Sequence, residues 1–204
     1  MPKVSEQHRE DRRRQILDAA WTCFARNGFH KTSMPDVFAE SGLSSGAVYS
    51  YFPSKEALIT AIAEVSTQQL VTALSDRIEQ EELPPFPHLL PRVLEDLAAL
   101  GWGTTPAPMA LQVWSEMMRD PQLAVTVGTM LGEVHERFTR VCRLYQVRGD
   151  LAADMDPADV GRVMITLLQG GIAQWNLLGM AAHLQLQSGL EQLSRHLDTG
   201  GGLG

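Results

Sequence analysis

The sequence predicts an all-α protein of about nine helices, in which a small N-terminal unit of three helices leads into a larger helical body. Three observations carry this. Apolar residues recur at three- and four-residue spacing through most of the chain. The breaks between those stretches hold Gly, Pro and Ser where helices are capped or stopped, and few stretches alternate as strands do. At 204 residues with 44% hydrophobic side chains, the chain can bury a substantial core.

Each element has its own local reason. From Arg12, the apolar residues Ile16, Leu17, Ala20, Trp21 and Phe24 share one helical face, and "RNG" at 26–28 supplies a glycine stop. A helix of about two turns follows in "TSMPDVFAESG". Ser33 and Asp36 stand in capping-box register, Pro35 is tolerated in a first turn and Gly42 closes the segment. Ser44 caps a third short helix that Pro53 ends, and Ser54 caps a fourth, which runs to roughly Glu82 before "LPPFP". Leu89 to Leu100 then reads as a helix, "GWGTTPAP" as a loop and Met109 to Met118 as a helix. A long helix covers Gln122 to Val147. "RGDLAADMDP" is a connector to a final pair, Ala158 to Leu178 and Ala182 to Leu197. The tail at 199–204, "GGLG" after Thr199 and Gly200, reads as disordered.

Composition narrows the function classes. Cys23 and Cys142 lie far apart with no C-x-x-C pair or Cys/His cluster, so a disulfide framework and a metal site are not expected, and a cytoplasmic setting is. The charged opening "MPKVSEQHREDRRRQ" has no apolar core of a secretory signal. The longest uncharged stretch, Val163 to Leu190, includes Gln169, Gln174, Asn176, His183, Gln185 and Gln187. It is too polar for a membrane span and reads as a buried interface. Within the net charge of −7, residues 1–55 hold eight basic and six acidic groups, so a mildly basic head sits on a strongly acidic body. An anionic partner would meet the head.

The head carries the sharper signal. Two short helices joined by "SGLS" match a helix-turn-helix, in which glycine permits the tight turn and Leu43 anchors it. With Ser44 as cap, Val48, Tyr51 and Phe52 fall on one face and Ser45, Gly46, Tyr49 and Ser50 on another. In this arrangement the second helix enters the DNA major groove. Between Ser44 and Pro53 no residue can make the bidentate contacts that best distinguish guanine or adenine. Reading by Ser45, Ala47 and Ser50 would therefore use methyls, hydroxyls, water bridges and DNA shape.

The stretch from Arg13 to Ile62, with its "NGF" turn, "GLS" turn, "G-x-V-Y-x-Y-F" and "SKEAL", resembles the DNA-binding domain of TetR-family transcriptional regulators. Phe38 departs from the family's small alanine and Val48 from its leucine. The resemblance implies a DNA-binding domain at 1–55, an effector and dimerisation domain at 56–198, and repression as the mode of action. It also implies DNA contacts at Thr32, Ser33, Ser44, Ser45, Gly46, Ala47, Tyr49, Ser50 and Lys55. Thr32 and Ser33 would offer hydroxyls and a helix N-terminus to phosphate, Tyr49 its OH and Lys55 its charge. "RRR" at 12–14, with Arg9, is a further candidate for a flanking phosphate.

For the body the expectations are a homodimer through the last two helices and a small, largely apolar effector. Small residues, Gly161, Gly170, Gly171, Ala173, Ala181 and Ala182, would let helices approach their copies. Trp102, Met109, Trp114, Met117, Met118, Met130, Phe138, Met164 and Trp175 form a Met/Trp-rich set suited to an adaptable cavity. Gln112, Gln169 and Asn176 would orient a polar group. No cofactor is expected. Against an enzyme, the chain lacks G-x-S-x-G, H-x-x-x-H and G-x-G-x-x-G, and His135 and Cys142, seven residues apart, read as a buried pair. The rival reading is a helical ligand-binding or protein-interaction scaffold without DNA binding, which salt dependence would distinguish.

Overall fold

The computed structural model describes residues 6–79, 83–97, 109–178 and 187–193, the side chains at 73 and 76–79 excepted. Its helices are α1 (Glu6–Asn27), α2 (Met34–Ser41), α3 (Ser45–Tyr51), α4 (Lys55–Glu79), α5 (Leu89–Leu97), α6 (Met109–Met117), α7 (Pro121–Arg148) and α8 (Pro157–Leu178). A 3-10 turn at Phe86–His88 precedes α5, residues 187–193 are helical, and no strand occurs among the described residues. The loop at 101–108, most of the last expected helix and the tail lie outside the described residues. The expected start of α1 was late by six residues: Glu6 to Asp11 hold no apolar stripe, yet helix-spaced pairs such as Gln7 to Asp11 (3.1 Å) accompany an exposed helical extension.

By contacts the chain divides into two units, Met1–Ser66 with Thr105–Val127, and Thr67–Thr104 with Gly128–Gly204. This differs from the single boundary expected after residue 55, because α6 and the first turns of α7 pack with the head. The chain passes between the units inside α4 and inside α7.

In the first unit the apolar stripe of α1 supplies Ile16, Ala20 and Phe24, which share a core with Val37 of α2, Val48 of α3 and Leu58 of α4, all fully buried. Phe24 meets Phe29 edge to face, with ring centroids 4.7 Å apart. Burying a side chain of this size contributes roughly 1.5–3 kcal/mol. The caps follow the sequence. Ser33 donates its backbone N–H (2.8 Å) and hydroxyl (2.7 Å) to Asp36, and the Ser44 hydroxyl accepts from the Ala47 N–H (3.3 Å). Gly42 ends α2 in the left-handed region, at φ 67°. Gln15 Nε2 donates to the Ser41 carbonyl (2.7 Å), which ties α1 to the end of α2.

The second unit is built on α5, α7 and α8. Leu89, Leu90, Val93, Phe138, Val141, Cys142 and Tyr145 are fully buried there. The Tyr145 hydroxyl donates to the Pro84 carbonyl (2.7 Å), and Phe86 meets the Tyr145 ring edge to face. Where α7 and α8 cross, a methyl at Gly161 would lie 3.2 Å from the Thr139 backbone nitrogen and hydroxyl. Gly161 therefore serves an intramolecular crossing, which corrects its expected place in a dimer interface. At the same crossing, His135 Nε2 lies 2.8 Å from the Ala158 carbonyl oxygen.

Candidate nucleic-acid interface

The geometry of α3 separates its residues by task. Val48 is fully buried and Phe52, just after the helix, is 4% exposed; Tyr51 is half-buried. On the other side Ser44, Ser45, Gly46 and Ser50 are exposed, Ala47 is half-buried, and Tyr49 stands 48% exposed. A methyl added at Gly46 would meet nothing within 4 Å. The glycine is thus not required by packing within this chain. The outer face of the helix has no charged side chain, and Ser50 turns its hydroxyl to the Ala47 carbonyl (2.7 Å).

Phe38, the unusual residue of α2, packs its ring edge to face against Tyr49, with centroids 5.3 Å apart at 69°. The larger side chain fills the outer α2–α3 junction and steadies the exposed phenol. This contact could not be read from the sequence, since it depends on how two short helices cross.

Two expected phosphate contacts need correction. Thr32 is only 2% exposed, and its hydroxyl points to the carbonyls of Gly28 (2.8 Å) and Cys23 (3.2 Å). Its backbone N–H bonds the Gly28 carbonyl, so Thr32 shapes the turn after α1 and its hydroxyl does not face outward. Lys55 Nζ donates to the carbonyls of Phe29 (2.8 Å) and Thr32 (3.3 Å), across the same turn. Its ammonium is bound to the backbone from the first residue of α4, with one of three donors left over. Ser33 remains exposed at the start of α2. Its two hydrogen bonds to Asp36, the backbone one first, hold that carboxyl below the ordinary aspartate range.

The arginines near the start of α1 are partly engaged. Arg12 donates to Gln15 (2.7 Å), and the Arg13 guanidinium lies 5.6 Å from the Phe52 ring centroid. Arg9 and Arg14 are exposed.

The expected effector residues do not fall in one unit. Met109, Trp114, Met117 and Met118 belong to the first, Phe138, Gln169 and Trp175 to the second, and Trp102 lies outside the described residues. Phe138 is wholly core and Met118 is 82% exposed. Gln112, expected to orient a ligand, instead bonds the end of α1. Its Oε1 accepts from the Phe29 N–H (3.0 Å) and its Nε2 donates to the Phe24 carbonyl (3.3 Å). Burial pushes the Cys142 thiol up to about 11, which leaves it unreactive at neutral pH. Among the described residues no group of three His, Cys, Asp or Glu side chains could hold a metal ion, and no helix is long and apolar enough to cross a membrane.

Comparison with known proteins agrees with this geometry. The family described as bacterial regulatory proteins, tetR family, matches residues 16–62, from the buried face of α1 into α4. The HTH-type transcriptional repressor Rv1474c of Mycobacterium tuberculosis is 30% identical over 180 residues, covering 84% of this chain and 86% of that protein. The HTH-type transcriptional regulator UidR of Escherichia coli K12 is 27% identical over 184 residues, covering 89% and 90%. The crystal structure of the transcriptional regulator FadR from Bacillus subtilis in complex with stearoyl-CoA superposes with a TM-score of 0.71 at 18% identity, over 89% of this chain and 97% of that one.

Proposed function

Because the chain belongs to the tetR family of bacterial regulatory proteins, we propose that it is a ligand-responsive repressor: a homodimer that binds a near-palindromic operator and leaves it when a small, largely apolar effector binds. The observation that carries the reading is α3. It presents Ser45, Gly46, Tyr49 and Ser50 outward on a helix held from behind by Val48 and Phe52, and leaves open space at Gly46 for a close backbone approach. Ser33 at the start of α2 and the Tyr49 hydroxyl hold phosphates, while Ser44, Ser45, Ala47 and Ser50 face base edges through hydroxyls, methyls and water. Lys55 acts chiefly through the turn it braces, and Thr32 shapes that turn from within.

Pairing of protomers through α8 and the helix after it is supported by exposed Val163, Leu177, Leu178 and Leu193, and by open space over Gly170. The stearoyl-CoA held by one structural neighbour and the choline held by another support a small-molecule effector. Release follows from linkage: an effector that binds better to a form unable to seat both heads weakens DNA binding by its differential affinity, and DNA weakens effector binding equally.

The test is selection of duplexes from a random pool by the purified protein, followed by affinity measured against salt. The expected product is a near-palindrome with half-sites about 10 bp apart or a multiple of that, with log affinity falling linearly in log salt. No enriched sequence and a flat salt response would favour the scaffold reading instead.

A further inference from the structure

The turn after α1 is gripped from two sides. Gly28 turns the chain at φ 80°, and Phe29 is carried into the core, where it is 4% exposed. A backbone N–H buried at such a position must find an acceptor. It finds Gln112 Oε1 of α6 at 3.0 Å, 83 residues downstream. The other end of the same amide donates to the Phe24 carbonyl, which also accepts from the Gly28 N–H (2.8 Å). The carbonyl of Phe29 is taken by Lys55 of α4. Both polar groups of one residue are therefore fixed, one by α6 and one by α4. Four residues further on, Ser33 caps α2.

Only a side chain with a donor and an acceptor on one planar group can bridge the Phe29 N–H and the Phe24 carbonyl together. Asparagine has the right group but a shorter reach, and glutamate lacks the donor. Other contacts around the bridge are weaker. The Arg119 to His30 contact (3.2 Å) is exposed, and in the His30 to Glu116 pair (3.6 Å) the imidazole is 66% exposed, so solvent screens both. A cleft of about 260 Å³ opens beside the bridge, lined by Asn27, His30, Lys31, Ser115 and Glu116. The amide joins α6 to the turn by two hydrogen bonds, beside the buried Met109 and Val113 of the same helix.

We propose that Gln112 is a positioning residue through which α6 sets the pose of α2 and α3, so that occupancy of the DNA-reading pair and the state of α6 are coupled through this one amide. The proposal rests on the DNA-binding reading above. A displacement of α6 moves the Phe29 peptide, and with it the start of α2. DNA held by α2 and α3 must in turn steady α6.

Hydrogen–deuterium exchange tests this with the selected duplex as the probe and no effector. In the wild type, DNA slows exchange at 33–51 and also at 109–117. In Gln112→Leu, which keeps the bulk and loses both hydrogen bonds, protection at 33–51 persists. Protection at 109–117 falls about fivefold or more, the scale of a typical coupling between sites. Gln112→Glu, which keeps the acceptor for Phe29, gives an intermediate value and serves if the leucine variant does not fold. Undiminished protection of 109–117 in the variants, or none in the wild type while 33–51 is protected, would overturn the coupling alone. A wild type with no protection at 33–51 would remove the DNA-binding reading, and this proposal with it.

Discussion

Gly46 separates fold from function most cleanly at the scale of the residue. It sits within α3, has ordinary helical backbone and faces empty space. Alanine there should stabilise the protein by about 0.5–1 kcal/mol, since glycine is the poorer helix former. If DNA backbone or base edges approach that Cα, the same methyl should cost at least about tenfold in affinity, or roughly 1.4 kcal/mol. Thermal unfolding and operator titration of Gly46→Ala read the two effects separately. A stabilised variant with full affinity would remove Gly46 from the contact surface.

Asp36 gives a second residue-scale prediction, with a definite sign. Its carboxylate is favoured in the fold by the Ser33 N–H and hydroxyl, so its folded pKa lies below the unfolded one. Such a group adds stability above the unfolded value, near 3.9, and that contribution fades as pH falls from there through the folded pKa. Asp36→Asn should flatten this part of the acid limb and leave the neutral-to-basic limb unchanged, as pH-dependent denaturant unfolding would reveal. At this scale the sequence was informative wherever a side chain acts on its own neighbours. Ser33, Asp36, Gly42 and Ser44 all do what their spacing implies. Thr32 and Lys55 are less legible because their partners are backbone carbonyls of a turn whose shape no local spacing reveals.

Among the elements, the α7–α8 crossing shows how one small residue sets a contact distance. A Cβ on Gly161 would press at 3.2 Å on the backbone nitrogen of Thr139, which moves only if α7 moves. The strain, of the order of 1–3 kcal/mol for overpacking, should outweigh the gain of roughly 1 kcal/mol from better helix propensity. Gly161→Ala should therefore melt a few degrees lower, whereas Gly132→Ala, exposed on α7 with open space around it, should not. Calorimetry of both variants checks this. Of the small residues in that stretch, Gly161 marks close packing within the chain and Gly170 has open space around it, a difference that residue size alone does not reveal. Helix identities were legible from periodicity and caps. The early start of α1 was not, because Glu6 to Asp11 are held by charge and polar spacing with no apolar face.

For the whole molecule, the sequence pointed to a basic head on an acidic body, and contacts redraw the line between them. The first unit reaches past residue 55 to Ser66 and takes in Thr105–Val127. Such an association between segments forty residues apart depends on pairs like Gln112 with Phe29, and no periodicity encodes it. The Met/Trp-rich set spans both units, and bulk and softness describe core side chains such as Phe138 and cavity side chains alike. The large-scale prediction is the random-pool selection: a near-palindrome requires two heads in a fixed relation, and a single half-site would imply that the protein acts as a monomer on DNA.

The separation of faces on α3 also bears on how such a protein changes over time. Val48 and Phe52 secure the helix, while Ser45, Gly46 and Ser50 give little to the core behind them. Substitutions at those three positions would meet little resistance from stability, so under the DNA-reading role proposed for α3 mutation can explore new target sequences there without first risking the fold. A laboratory library confined to positions 45, 46 and 50 should return folded proteins at high frequency, and a changed operator among them would mark those positions as the readers.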